Sequence, residues 1–231
     1  MKKISLLFCF LLPFLAPAHA QIGISAGVQN FDAPDWFDLE TGSATDPFWG
    51  AQAGIDYWFR LKNQRVEFLP ELSASRHSGD FGSGELTATF FNFRFNTNFY
   101  FFDFNNDCNC PTFDKGGNFF TKGFFIQLSP GISRLTLKND PGNAPVESSD
   151  YALSFGIGAG LDIGLSKLIT LTPLVRYRYF PGAKSEVFMV KEPVRSAIRQ
   201  LYAGIRLGIR WSDGSGSGKR RGSRLSDRRK R

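Results

Sequence analysis

Along Tyr151–Ser166 the chain alternates without a break. Tyr151, Leu153, Phe155, Ile157, Ala159, Leu161, Ile163 and Leu165 form one set. Ala152, Ser154, Gly156, Gly158, Gly160, Asp162, Gly164 and Ser166 form the other. A period of two places these sets on opposite faces of a β-strand, one apolar and one small or polar. Strands of soluble domains usually run to about 5–6 residues, whereas a tilted strand that crosses a bilayer needs roughly 9–11. The pattern therefore predicts a membrane-spanning strand, with lipid on its greasy side and a polar lumen on the other.

Seven further segments repeat the habit, so that eight strands are expected near 22–30, 49–60, 65–76, 85–101, 123–138, 151–166, 168–180 and 199–211. In the fourth, Phe91, Phe93, Phe95, Phe99 and Phe101 oppose Asn92, Arg94, Asn96 and Asn98. In the last, Leu201, Ala203, Ile205, Leu207, Ile209 and Trp211 oppose Tyr202, Gly204, Arg206, Gly208 and Arg210. A soluble sandwich also alternates. It would not expose a continuous band of Phe, Leu, Ile and Val to water, nor line its interior with Arg and Asn. The expected fold is all-β: an eight-stranded antiparallel up-and-down transmembrane β-barrel with meander topology. Tight turns at Lys62-Asn63-Gln64 and Ser166-Lys167 should alternate with longer loops at 31–48, 77–84, 139–150 and 181–198. The stretch Phe102–Lys122 is long but falls on the short-turn side. Pro70, Pro130 and Pro173 sit mid-strand in strands running the same way, where a missing ladder donor predicts a bulge or bend.

Charge changes the picture only at the ends. The formal net charge is +7. Lys2 and Lys3 and a tail of eight basic against two acidic residues account for more than all of it, leaving −1 for Gln21–Trp211. The basic balance thus gives no reason to expect a nucleic-acid partner. Lys2 and Lys3, the apolar run Ile4–Leu15 and Ala18-His19-Ala20 read as a cleaved signal peptide over 1–20, with Cys9 as apolar filler inside it. The barrel should occupy 21–211. Residues 212–231, a Gly/Ser stretch followed by a basic run, should form a disordered tail able to touch anionic surfaces.

The signal segment, the eight strands, the mid-strand prolines and Asp107-Cys108-Asn109-Cys110-Pro111, followed by Lys122-Gly123-Phe124-Phe125, resemble the small outer-membrane β-barrel proteins of Bacteroidota, loosely grouped as PorT-like or OmpX-like. The resemblance spans Gln21–Trp211. It implies an outer-membrane address but no particular activity. Trp211 stands where such barrels place a terminal aromatic residue.

Strand parity sends Asp56, Glu67, Glu71 and Asp162 into the lumen together with Arg60, Arg94, Arg176, Arg178, Arg206 and Arg210. An eight-stranded barrel is filled by its own side chains, and buried charges must pair, so a salt-bridged plug is expected. A solute-binding or conducting lumen is the alternative. Cys108 and Cys110 stand two apart outside the cytoplasm. A strained disulfide, a free pair, a redox role and part of a metal site all remain open. His77 is expected on a solvated loop. Its neighbours Ser75 and Ser78, with Glu71, raise the remote alternative of a lipid-modifying hydrolase. Trp49, Tyr151 and Tyr177 should form one interfacial aromatic belt, and Phe59, Phe99, Phe101 and Trp211 the other. No cofactor motif appears. The expected role is non-enzymatic, structural or partner-binding through the loops, with outer-membrane lipid as the sure partner. The alternative is an accessory part of an envelope or secretion machine, using Phe102–Lys122 and the basic tail.

Overall fold

In the computed structural model, the described residues are 21–41, 47–61, 65–81, 84–103, 123–140, 145–166, 168–185, 187 and 194–210. They form one sheet from ten segments: β1 (Gln21–Phe31), β2 (Phe48–Arg60), β3 (Val66–Phe81), β4 (Gly84–Phe99), β5 (Phe124–Leu128), β6 (Gly131–Asp140), β7 (Val146–Leu161), β8 (Ile163–Gly164), β9 (Ile169–Ser185) and β10 (Val194–Arg210). A short helix, α1 (Pro34–Thr41), follows β1. β5 with β6, and β7 with β8, are halves of single strands, so the ring has eight staves. Each stave pairs antiparallel with its sequence neighbours, and β10 closes the barrel on β1 with Gln21 opposite Arg210. The signal segment, the Cys108–Cys110 pair, Trp211 and the basic tail lie outside the described residues.

The prolines do less than expected. Leu128 faces Thr97 and Gly131 faces Arg94, so the pairing register passes through Ser129-Pro130 with no inserted residue. The β7 side is equally unbroken, with Ile157 opposite Leu128 and Ser154 opposite Gly131. Pro130 removes a donor without a bulge, while its own carbonyl accepts from Phe95 N at 2.9 Å. Pro70 and Pro173 lie inside unbroken β3 and β9. The register shift occurs elsewhere, between Ser196 and Ile198 near the loop end of β10.

The strands also run further than the outward-apolar rule suggests. β3 continues to Phe81 and β9 to Ser185, while β10 starts at Val194. The cause is a reversal of polarity along the barrel axis. On β4, Phe91, Phe93 and Phe95 face out and Asn92, Arg94, Asn96 and Asn98 are buried inside. Above Phe91 the order inverts: Phe90, Ala88 and Leu86 are buried, and Thr89, Thr87 and Glu85 face out. The consecutive pair Phe90-Phe91 marks the switch. β6 behaves alike above Arg134, with Leu135 and Leu137 inside and Thr136 and Lys138 on the outer face. The lower half thus has an apolar outer face around a polar lumen, and the upper half a polar outer face around an apolar core. On β4 the apolar band from Phe91 to Phe99 is nine residues long, matching the roughly 9–11 that a tilted spanning strand needs.

The aromatic rows follow this boundary. Trp49 and Tyr151 are 62% and 68% exposed at its loop side, with Tyr177 and Tyr179 also exposed. Phe59 and Phe99 are half-buried near the turn end. β4 stops at Phe99, before Phe101, which is exposed in a one-turn 3-10 helix, Phe101–Asp103.

Candidate functional site

The lower lumen holds a branched network. Glu71 on β3 stands directly opposite Arg94 on β4. Its Oε1 accepts from Arg94 Nη2 at 2.5 Å, and its Oε2 accepts from Asn96 Nδ2 at 2.6 Å and lies 3.3 Å from Arg176 Nη1. Arg176 Nε donates to Gln127 Oε1 at 2.8 Å, and its guanidinium packs 5.7 Å from the Tyr202 ring. Asp56 on β2 takes a two-pronged grip from Arg206 on β10, at 2.7 Å from Nε and 2.6 Å from Nη2. That pair reaches across β1, where Gly23 faces Asp56. A Cβ on Gly23 would sit 2.5 Å from Arg206 Nε and closer still to Asp56. The glycine therefore leaves the gap through which the two charges meet.

The other two carboxylates, Glu67 and Asp162, are brought together on one hydroxyl. Tyr100, just past β4, places its hydroxyl 2.7 Å from Glu67 Oε2 and 2.5 Å from Asp162 Oδ2. Trp58 Nε1 donates to the same Glu67 oxygen at 2.7 Å, and Thr172 Oγ1 donates to Asp162 Oδ1 at 2.5 Å. Arg65 stacks 4.4 Å from the Tyr100 ring and Arg210 lies 5.8 Å from the Trp58 ring. Strand parity puts Trp58 on the same face as Asp56 and Arg60, and Tyr100 shares the inward parity of Asn96 and Asn98; the bonds of both to these carboxylates are what parity does not give. Arg60 ends β2, and its side chain lies outside the described residues. Between the two clusters is a polar chamber of about 30 Å³ bordered by Asp56, Glu67, Asp162, Arg176 and Arg206, enough for a couple of water molecules.

Arg178 stands at the top of this half, fully buried, and among the described residues its hydrogen bonds go to neutral side-chain carbonyls. It donates to Gln52 Oε1 at 2.7 Å, to Asn92 Oδ1 at 3.3 Å and to Gln29 Oε1. Charge-assisted bonds of this kind compensate a buried guanidinium even without a carboxylate. Gln29 and Gln52 occupy glutamine positions that a search confined to charged residues passes over.

Directly above Arg178 the interior turns aromatic. Phe31, Trp36, Phe37, Phe48, Phe81, Phe90 and Phe180 are all buried and belong to one cluster. The Phe31 ring centroid lies 5.7 Å from Phe37 and 5.6 Å from Phe90, and Phe90 lies 5.8 Å from Phe180. Helix α1 supplies Trp36 and Phe37 as a lid; Asp35 anchors it by accepting from Ala197 N on β10 at 3.3 Å. His77 belongs to this cluster, contrary to its expected place on a solvated loop. It is 0% exposed, 5.9 Å from Phe31 and 5.6 Å from Phe90, and neither ring nitrogen has a hydrogen-bond partner. Ser78 faces outward, away from it, and Glu71 is committed to two arginines. The geometry supplies no nucleophile–base–acid chain at His77. Among the described residues, no group of three or more His, Cys, Asp or Glu side chains is placed to hold a metal ion.

No protein-family model matches the chain, and no curated protein matches it. Among solved structures, neisserial surface protein A is similar over 84% of this chain and 98% of its own, at 12% identity and a TM-score of 0.51. Ail, the attachment invasion locus protein of Yersinia pestis, is similar over 83% and 99%, at 11% identity and a TM-score of 0.48. The outer membrane protein OprG of Pseudomonas aeruginosa is similar over 83% and 97%, at 11% identity and a TM-score of 0.40. With the closed ring, the apolar outer band and the filled lumen, the chain has the fold of the small eight-stranded outer-membrane β-barrels.

Proposed function

We propose that the protein is a non-enzymatic, non-conducting barrel of the outer membrane that serves as a rigid platform for its loops. One observation carries this reading: the aromatic cluster closes the interior from β1 around to β10 and ties α1 onto the mouth. A solute route would have to pass Arg178 and then seven packed aromatic rings. Their burial also stiffens the loop end, and a rigid surface loses less conformational entropy on meeting a partner. The test is planar-bilayer recording of the refolded protein. Insertion without stepwise conductance is expected. Regular single-channel steps, present in the wild type and absent from a mock preparation, would defeat the reading.

The accessory-component alternative draws support from the resemblance to Bacteroidota barrels and from the composition of the basic tail. It predicts co-purification of envelope proteins that is lost when residues 104–122 and 212–231 are deleted together. Unchanged partners after both deletions remove it. A hydrolase using His77 would require outer-membrane lipid to change in a His77→Ala strain; the expected outcome is unaltered lipid, which removes that alternative.

A further inference from the structure

Outside the barrel, one part of the wall departs from a uniform greasy band. Ala53 on β2 and Ala74 on β3 are directly paired, and their short side chains leave a depression. Ile55, Leu72, Phe93 and Ile132 wall it from below and Phe91 from the side, giving an apolar groove of about 650 Å³. At its loop-side end stand Arg134 and Tyr151, paired across β6 and β7 in the same row as Ala74 and Phe91. The next row toward the loops is hydroxyl-rich: Arg76, Thr89, Thr136 and Ser149, with Thr136 and Ser149 hydroxyls 3.0 Å apart.

Arg134 is thus one row deeper than the polar zone, on the lipid side. An arginine facing lipid is strongly disfavoured toward the midplane and nearly tolerated at the interface. Among the described residues no carboxylate lies within ion-pair distance of Arg134 or Arg76. The outward acids Asp80, Glu85, Asp140 and Glu147 sit further toward the strand tips. The guanidinium therefore looks to the membrane for its counter-charge. Apart from the connection between β4 and β5 at the opposite rim, the longer connections, after β1 and after β9, gather at this end of the barrel, which is the extracellular end in such folds, so the headgroups facing Arg134 are those of the outer leaflet.

We propose that this groove binds one phosphorylated glycolipid of the outer leaflet. An acyl chain lies over Ala53 and Ala74, a phosphate is engaged by Arg134 and Arg76, and the sugar rests on the Thr89–Thr136–Ser149 hydroxyls. Arginine suits a phosphate because its fork can donate two parallel bonds. This inference rests on the outer-membrane placement but not on the absence of conductance, which is measured separately.

Native mass spectrometry of the protein refolded in detergent tests it. The probes are a bis-phosphorylated, acylated glucosamine disaccharide, its dephosphorylated form and phosphatidylglycerol. The wild type should retain one molecule of the phosphorylated glycolipid. Arg134→Gln and Ala74→Phe, which fills the groove, should each weaken retention about tenfold or more, and Arg195→Gln on the far face should not. Folding is checked by heat-modifiable migration, and if Ala74→Phe fails that check, Arg134→Gln with Arg76→Gln decides the matter. Equal retention by wild type and Arg134→Gln overturns the proposal, as does equal retention of the dephosphorylated form. A preference for phosphatidylglycerol overturns it in favour of an ordinary phospholipid.

Discussion

At the scale of residues, burial sorts the candidates by what each side chain touches. His77 packs as an aromatic ring, so His77→Phe should change the stability of the refolded barrel by less than about 1.5 kcal/mol. His77→Lys places a second positive charge near the buried Arg178 and should cost about 3 kcal/mol or more. Urea unfolding in lipid vesicles separates the two. Tyr100→Phe removes the hydroxyl shared by Glu67 and Asp162 and should destabilise by about 1–3 kcal/mol, because both carboxylates lose a buried partner. Gly23→Val drives a side chain between Asp56 and Arg206. It should cost about 3–5 kcal/mol, the usual effect of parting a buried pair, and Gly182→Val on β9, where a Cβ would meet nothing within 4 Å, gives the control. Strand parity made the inward orientation of Asp56, Glu71, Arg94, Arg176 and Arg206 legible. Partners were not legible, because a partner is chosen by register across three or four strands. Asp56 meets Arg206 only because β10 closes on β1, a contact that no local pattern encodes.

At the scale of elements, the strands are readable where they face lipid and only in part above it. Phe91 to Phe99 advertises itself by an outward row of phenylalanine. Leu86 to Phe90 reads as strand as well, but the change of environment along it does not, because its outward residues are Thr and Glu and its apolar residues point in. The same inversion turned the tips of β3, β9 and β10 into apparent loops. α1 was missed for a related reason: its buried residues Trp36 and Phe37 are adjacent, and eight residues are too few to display a helical stripe. Pro130 gives an element-scale prediction. Because the register is unbroken there, Pro130→Thr should restore a ladder donor without moving a neighbour. The expected outcome is an unchanged amide spectrum for β4 and β7 and stability equal to or above that of the wild type. A chemical-shift change spreading along both strands would reveal strain that the proline relieves.

At the scale of the whole molecule, membrane extraction checks the arrangement. The protein should stay with the membrane through a high-salt wash and migrate faster unheated than boiled, as a closed barrel does. The reversal of wall chemistry within a single residue step has a mechanical consequence as well. Such a barrel cannot float. Sliding inward by two residues, about 7 Å along a strand, would carry Arg76, Arg134 and Arg199 toward hydrocarbon, where each is penalised by up to about 2–4 kcal/mol. Sliding outward would strip the hydrocarbon from Phe91, Tyr151 and Leu201. The protein holds its depth, and in a bilayer of unsuitable thickness it is the surrounding lipid that must stretch or thin.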